Sequence, residues 1–259
     1  MQTEGLTFYH GTGRTAADSI FESGAQDRRL KEIGAFDLGR AILNALRRHA
    51  GVCENEDWKL HTAFESLPGA EYSTLWLSAF RELDGGGQSH FEYGHFFATL
   101  NIANAYRYAL NPYRSEFAQA IAESIKLLRH LRDPLPETVA NKYPEIARAI
   151  ENPSPPVVLE LQGISAERLL TAKGAPDIQS ELDIWDEMQR YPGVNAPVDF
   201  MIRDVVSGDV VAIHDLSNWT QDDIGDASWR PDKAQIEAAR QPLGRIIPPS
   251  TSSSSLNPD

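Results

Sequence analysis

Apolar and polar residues change rhythm several times along this chain, and each change predicts an element. Leu6 to Tyr9 reads as a short strand that runs into the turn-prone Gly11-Thr12-Gly13. A helix follows, with Thr15 as its N-cap, Ala16, Ala17, Ile20 and Phe21 on the inner face, and Gly24 as its end. Asp37 to Ala50 sets Leu38, Ala41, Ile42, Ala45 and Leu46 at amphipathic-helix spacing. Ser73 to Ala79 reads as a strand, after which Gly85-Gly86-Gly87 breaks the pattern. His95 to Thr99 is another short apolar strand, leading into a helix from Asn101 to Leu110 with alanines along one side. Ser115 to Arg132 is a second amphipathic helix, with Phe117, Ile121, Ile125, Leu128 and Leu131 inward, and Pro136 to Glu151 is a further one.

Pro153-Ser154-Pro155-Pro156 closes this helical block. Val157 to Gln162 is rich in β-branched and aliphatic residues and predicts a strand, with Ser165 to Leu170 as a short helical turn. Phe200 to Val205 and Val210 to Ile213 flank Ser207-Gly208-Asp209, which is a hairpin signature. Beyond Asp215 the chain turns polar, and it closes on the low-complexity PPSTSSSSLNPD. There is no internal repeat and no regular strand-helix-strand rhythm, so the pattern predicts an α+β fold. The expected organisation is one domain over residues 1–215 with a helical insertion at about 111–152, then an irregular, partly disordered tail over 216–259.

Composition adds limits rather than a class. The 259 residues are 41% hydrophobic and 24% charged, enough for a substantial core. Cys53 is the only cysteine, which excludes an intrachain disulfide and points to a reducing compartment. A net charge of −13 opposes phosphate backbones, so nucleic acid is not an expected partner, although Arg28, Arg29, Lys31, Arg40, Arg47 and Arg48 crowd one N-terminal region. No run is long and apolar enough for a membrane span, and no secretory leader is visible. The expected location is the cytoplasm, or outside the cell by a route needing no such signal.

The familiar catalytic motifs are missing: no G-x-x-x-x-G-K-[ST] loop, no H-E-x-x-H, no G-x-S-x-G. His90 and His95 are five apart, which does not stack them on one helical face, so no metal site is expected. The segment Tyr9-His10-Gly11-Thr12 is different. It puts an imidazole at a strand end beside a glycine whose bare backbone allows close approach, with a helix starting just after. That layout suits a planar amide held by main-chain groups and a ribose held by the imidazole.

FYHGTGRTAADSIFESGA, followed by GHFFATLNIANAYRYA, resembles the ADP-ribosyltransferase superfamily, in its branch with a His–Tyr–acid triad. That branch includes the poly-ADP-ribose polymerases, diphtheria-type toxins and rifampicin ADP-ribosyltransferases. The resemblance covers about residues 6–24, 94–109, 156–170 and 197–214. It implies a core of two small sheets split around NAD⁺, which is the substrate, with no metal. His10 would bond the nicotinamide ribose, the backbone of Gly11 with Thr12 would shape the carboxamide pocket, and Arg14, or else Arg28 or Arg29, would meet the pyrophosphate.

Phe96, in Phe96-Phe97-Ala98-Thr99, stands where the family usually has tyrosine, and a phenyl face still stacks on nicotinamide. Tyr106 is taken as the second aromatic of that sandwich, with Tyr108 on the same helix as its alternative, and Tyr93 is the alternative for the first position. Asp199, in Val198-Asp199-Phe200-Met201-Ile202, stands where the family usually has glutamate, with Glu181, Asp183 and Asp186 as alternative acids.

Breaking the nicotinamide–ribose bond passes through an oxocarbenium-like state, which calls for a carboxylate near the sugar, a fixed leaving group and a clamp that excludes water. The resemblance therefore implies a mono-ADP-ribosyltransferase of bacterial or phage effector type. It would move ADP-ribose from NAD⁺ to a protein or small-molecule acceptor. An NAD⁺ glycohydrolase toxin and a catalytically inactive binding module of the same fold are the alternatives.

Overall fold

A computed structural model describes Thr3 and residues 5–24, 34–67, 96–113, 116–172, 175–191, 198–225 and 229–242. The expected strand at 73–79, together with Arg28, Arg29, Lys31, His90, Tyr93, His95 and the closing tail, lies outside those residues.

Strand β1 (Phe8–Gly13) runs straight into helix α1 (Arg14–Ser23), then α2 (Ala35–Ala50) and α3 (Trp58–Phe64) follow. Next come β2 (Phe96–Thr99), α4 (Ile102–Leu110), α5 (Glu116–His130), α6 (Leu135–Lys142) and α7 (Pro144–Glu151). The chain continues through β3 (Pro156–Leu161), β4 (Leu169–Thr171), α8 (Gln179–Arg190), β5 (Asp199–Ile202), β6 (Val210–Asp215), α9 (Lys233–Ala239) and β7 (Arg240–Pro242). The fold is α+β. Among the described residues no helix is long and apolar enough to cross a membrane.

The strands form one antiparallel sheet in the order β4-β5-β2-β1-β3-β6-β7, not two separate sheets. β1 is the reason. It pairs with β3 along its whole length and also bridges to β2 at Tyr9–Thr99, which joins both halves. The glycines expected to end that strand instead extend it, because β3 supplies partners as far as Gly13.

The hairpin expected around Ser207-Gly208-Asp209 is also not formed. β5 pairs with β2 and β4 while β6 pairs with β3, three strands away. Asp204 takes a left-handed φ of 52° at the end of β5. Arg168 then gathers the crossing loop by bonding Asp209 at 2.6 and 3.0 Å and the carbonyls of Arg203 and Asp204. A turn signature marks a turn; it does not say which strand comes next.

Each sheet face has its own core. One face carries Phe8, Phe96, Ala98, Phe200, Ile202, Val157, Leu159 and Leu161 under Ala17 of α1 and Met188 of α8. The opposite face carries Val158 beneath Ala105, Tyr106 and Ala109 of α4, with Leu216, Ile224 and Ala239 from the C-terminal part of the chain. That segment, expected to be irregular, adds α9 and a seventh strand. A third core lies wholly between helices: α2 and α3 contribute Leu38, Ile42, Leu46 and Leu60, and α5 to α7 contribute Ile121, Leu128, Val139 and Ile146. The expected insertion therefore packs with the earlier helices rather than standing alone. Within it, one expected helix at 136–151 is two. Pro144 cannot donate to a preceding turn, and Tyr143 at φ −132° and ψ 61° breaks the path.

Candidate functional site

Among the described residues the sheet pairing is thinnest between β1 and β2. Arg14 N–H donates to Pro155 O at 2.8 Å, which fixes the alternation along β1. Phe8, His10 and Thr12 turn their main-chain groups to β3, while Tyr9, Gly11 and Gly13 turn theirs towards β2. Tyr9 meets Thr99 there, and among the described residues that is the single β1–β2 pair. Continued register would put Gly11 opposite Phe97. The two strands instead part, and the Phe97 carbonyl accepts a hydrogen bond from Nδ1 of His10 at 2.6 Å.

This bond assigns the histidine tautomer. A carbonyl can only accept, so Nδ1 carries the proton. Burial pushes the His10 pKa down to about 4, against a smaller opposing pull from the Phe97 carbonyl, so the ring is neutral near pH 7. Nε2 is then an acceptor, with no donor on it among the described residues, and is suited to a hydroxyl. The Phe96 ring lies 4.2 Å from the imidazole, tilted by 34°, and is itself only 8% exposed. Phe96 therefore supports His10 from below and offers little ring face to a ligand. Phe97, the next residue, projects from the other face and is half-buried.

Gly11 is required by α4. A Cβ there would collide with Ala105 O and lie 2.7 Å from Ala109 N and 3.0 Å from the Tyr108 Cβ. With no side chain, α4 settles onto β1 and brings Tyr108 beside the seam. Tyr108 is 42% exposed. Tyr106, the ring taken from sequence as the second clamp, is fully buried on this face. Its hydroxyl is 3.0 Å from His214 Nδ1, and its ring meets Trp219 and Trp229 at centroid distances of 5.6 and 6.2 Å. Tyr106 is a core anchor, and Tyr108 is the α4 ring that borders the opening.

Asp199 begins β5 opposite Thr99. By strand alternation it shares the face of Tyr9, Gly11 and Phe97, whereas His10 and Phe96 project from the other. Burial raises its pKa against a hydrogen bond from Thr99, and its Oδ1 has no hydrogen-bond partner among the described residues. Thr12 is buried on the His10 face. Arg14 faces Asp215 across 3.3 Å at the end of the sheet. Of the alternative acids, Asp183 and Asp186 are exposed on α8, and Glu181 accepts locally from Ser180. The structure thus brings His10, Phe96 and Gly11 together at one seam. It moves Tyr106 away from it.

Three charged or titratable residues beside Tyr106 were not legible as a group in the sequence. Glu160 is buried in β3 and accepts from His214 Nε2 at 3.1 Å and from Arg240 at 2.7 and 3.1 Å. Burial alone would raise the Glu160 pKa, but the bonds from His214 and Arg240 outweigh it and hold it at about 2. A glutamate inside the run Val157-Val158-Leu159-Glu160-Leu161 was the available signal, since a charge in a buried strand needs a partner.

Compared with protein-family models, curated proteins and solved structures, the chain matches none.

Proposed function

We propose that this chain binds NAD⁺ in the seam between β1 and β2 and cleaves the nicotinamide–ribose bond, transferring ADP-ribose to a protein or small-molecule acceptor. The observation that carries this reading is the interrupted β1–β2 ladder. Its main-chain groups at Gly11 are aimed into the opening beside a neutral His10 whose Nε2 is an acceptor. A planar carboxamide bonds to strand-like main chain as a peptide does, and a ribose hydroxyl supplies the donor that Nε2 lacks. Phe97 and Tyr108 sit on the Gly11 face and are the aromatic surfaces suited to nicotinamide, in place of Phe96 and Tyr106. Asp199 shares that face and is the acid suited to the developing positive charge on the ribose.

One observation favours the binding-module alternative. The same Asp199 is shifted towards its neutral form by burial, and only the ionised form stabilises an oxocarbenium-like state. Labelled NAD⁺ with cell lysate separates the outcomes. Nicotinamide release with label transfer supports the transferase, and release without transfer supports a glycohydrolase. NAD⁺ binding without release supports the binding module, and no binding at all removes the reading. His10→Ala is expected to weaken NAD⁺ binding about tenfold or more, as loss of a well-formed polar contact does. Unchanged binding in that variant would take His10 out of the site.

A further inference from the structure

The seam depends on where α4 sits, because α4 carries Tyr108 and rests on the bare Gly11 backbone. Besides its apolar packing, α4 is tied to the sheet by a continuous polar chain through the core. The Glu160 carboxylate accepts from His214 Nε2, so in the singly protonated ring Nδ1 accepts the Tyr106 hydroxyl proton. Arg240 closes the other end with two bonds to the same carboxylate. The four residues come from α4, β6, β3 and β7, and His214 and Tyr106 are both fully buried. Tyr9 of β1 packs its ring edge-on against His214 at 6.0 Å, so the strand bearing Gly11 touches the same chain. The C-terminal segment reinforces the contact: Trp229 lies against Tyr106, and its carbonyl accepts from Arg107 at 3.2 Å.

We propose that Tyr106, His214, Glu160 and Arg240 form a relay by which the C-terminal strand positions α4, so that β7 belongs to the working architecture of the seam. The proposal rests on the seam being the ligand cleft. These are positioning residues, since each acts through α4 and β1. Two features argue against simple packing. An apolar strand pair would bury β3 with less desolvation than a carboxylate requires. The geometry is also directional, each donor having one acceptor, so it fixes the placement of α4 in a way that the rings alone do not.

Hydrogen exchange of the α4 amides tests the relay without reference to any ligand. Tyr106→Phe keeps the ring and removes one buried hydrogen bond, and should speed α4 exchange up to about tenfold. Arg240→Met keeps the stem and removes both bonds to Glu160, and should speed it about tenfold to a hundredfold, with Arg240→Lys restoring part of the protection. In both variants α5 exchange should stay unchanged, because the helical core shares no residue with this face. NAD⁺ affinity should fall in step with α4 protection. Unchanged α4 exchange in Tyr106→Phe overturns the relay, and that variant decides the matter if Arg240→Met does not fold. Faster α4 exchange with undiminished NAD⁺ affinity also overturns it, since α4 would then be held for stability alone. If the wild-type chain binds no NAD⁺, the cleft reading fails, and the relay's claim to position a ligand site fails with it. Its hold on α4 would still be measured by exchange.

Discussion

The two faces of the central sheet are built on different physics. On one, Phe8 and Phe200 meet edge to face at 5.6 Å within an aliphatic core, and shape alone decides the packing. On the other, a buried carboxylate, an imidazole, a guanidinium and a phenol hold α4 by directional bonds. Apolar packing tolerates small displacements at small cost, whereas a buried polar chain is either satisfied or costly. The face that must place a helix against a bare glycine is the one that uses the polar chain. The face that supports His10 from below uses the apolar one.

The largest effect is expected on the apolar face. Phe200→Ala should destabilise the protein by about 3–5 kcal/mol, as truncation of a fully buried ring does, and the loss should be nearly independent of pH. Chemical denaturation at two pH values checks both parts.

The polar side should respond to acid instead. Glu160 has a folded pKa of about 2, below its ordinary 4.5, so its contribution is complete above pH 4.5 and drains away as pH falls towards 2. That contribution is roughly 2–3 kcal/mol after allowing for residual solvent screening. His10 is also depressed, from 6.5 to about 4, so its contribution is present above 6.5 and is lost as pH falls through 4. Both act in the same direction, and stability should fall from pH 7 to pH 3. Glu160→Gln should flatten the lower part of that fall while lowering stability at pH 7; an acid limb identical to wild type would show that the carboxylate is not the source.

The smallest effect on stability, and the sharpest on the cleft, is expected at Gly11. Gly11→Ala drives a methyl group into the α4 backbone and should cost about 1–2 kcal/mol as the helix moves off β1. Binding of NAD⁺ should fall by more than that stability change implies. Equal losses would mean that α4 placement and ligand binding are not linked.

How much of this was legible in the residues differs from element to element. Asn101 reads as a helix start and does cap α4, its side chain accepting from Ala103 N at 3.1 Å. Gly24 reads as a helix end and takes φ 76° there. Such features are local, and a few neighbouring residues decide them. The amphipathic period of Asp37 to Ala50 likewise names its own buried face, and Leu38, Ile42, Ala45 and Leu46 are buried as the spacing requires.

The candidate site was legible only in part. Tyr9-His10-Gly11 pointed to close backbone approach, which α4 makes at Gly11, but the strand does not end there and runs on to Gly13. The choice between Tyr106 and Tyr108, or between Phe96 and Phe97, was not readable, because neighbours on one helix or strand differ in which face they take, and only the packed structure decides which is exposed. Tyr106 matched the pattern and went into the core.

By itself the sequence determined most of the periodic helices, the caps at Gly24 and Asn101, the α+β class and the close backbone approach at Gly11, although the N-cap it named at Thr15 falls at Gly13 instead. Only the tertiary structure decided that the strands form one sheet, that β5 and β6 are not neighbours, and that Glu160, His214 and Arg240 meet. The reason is range: caps and periods are settled within a turn or two of chain, whereas side chains 80 residues apart, as Glu160 and Arg240 are, meet only through which strands pair and which faces must be buried together.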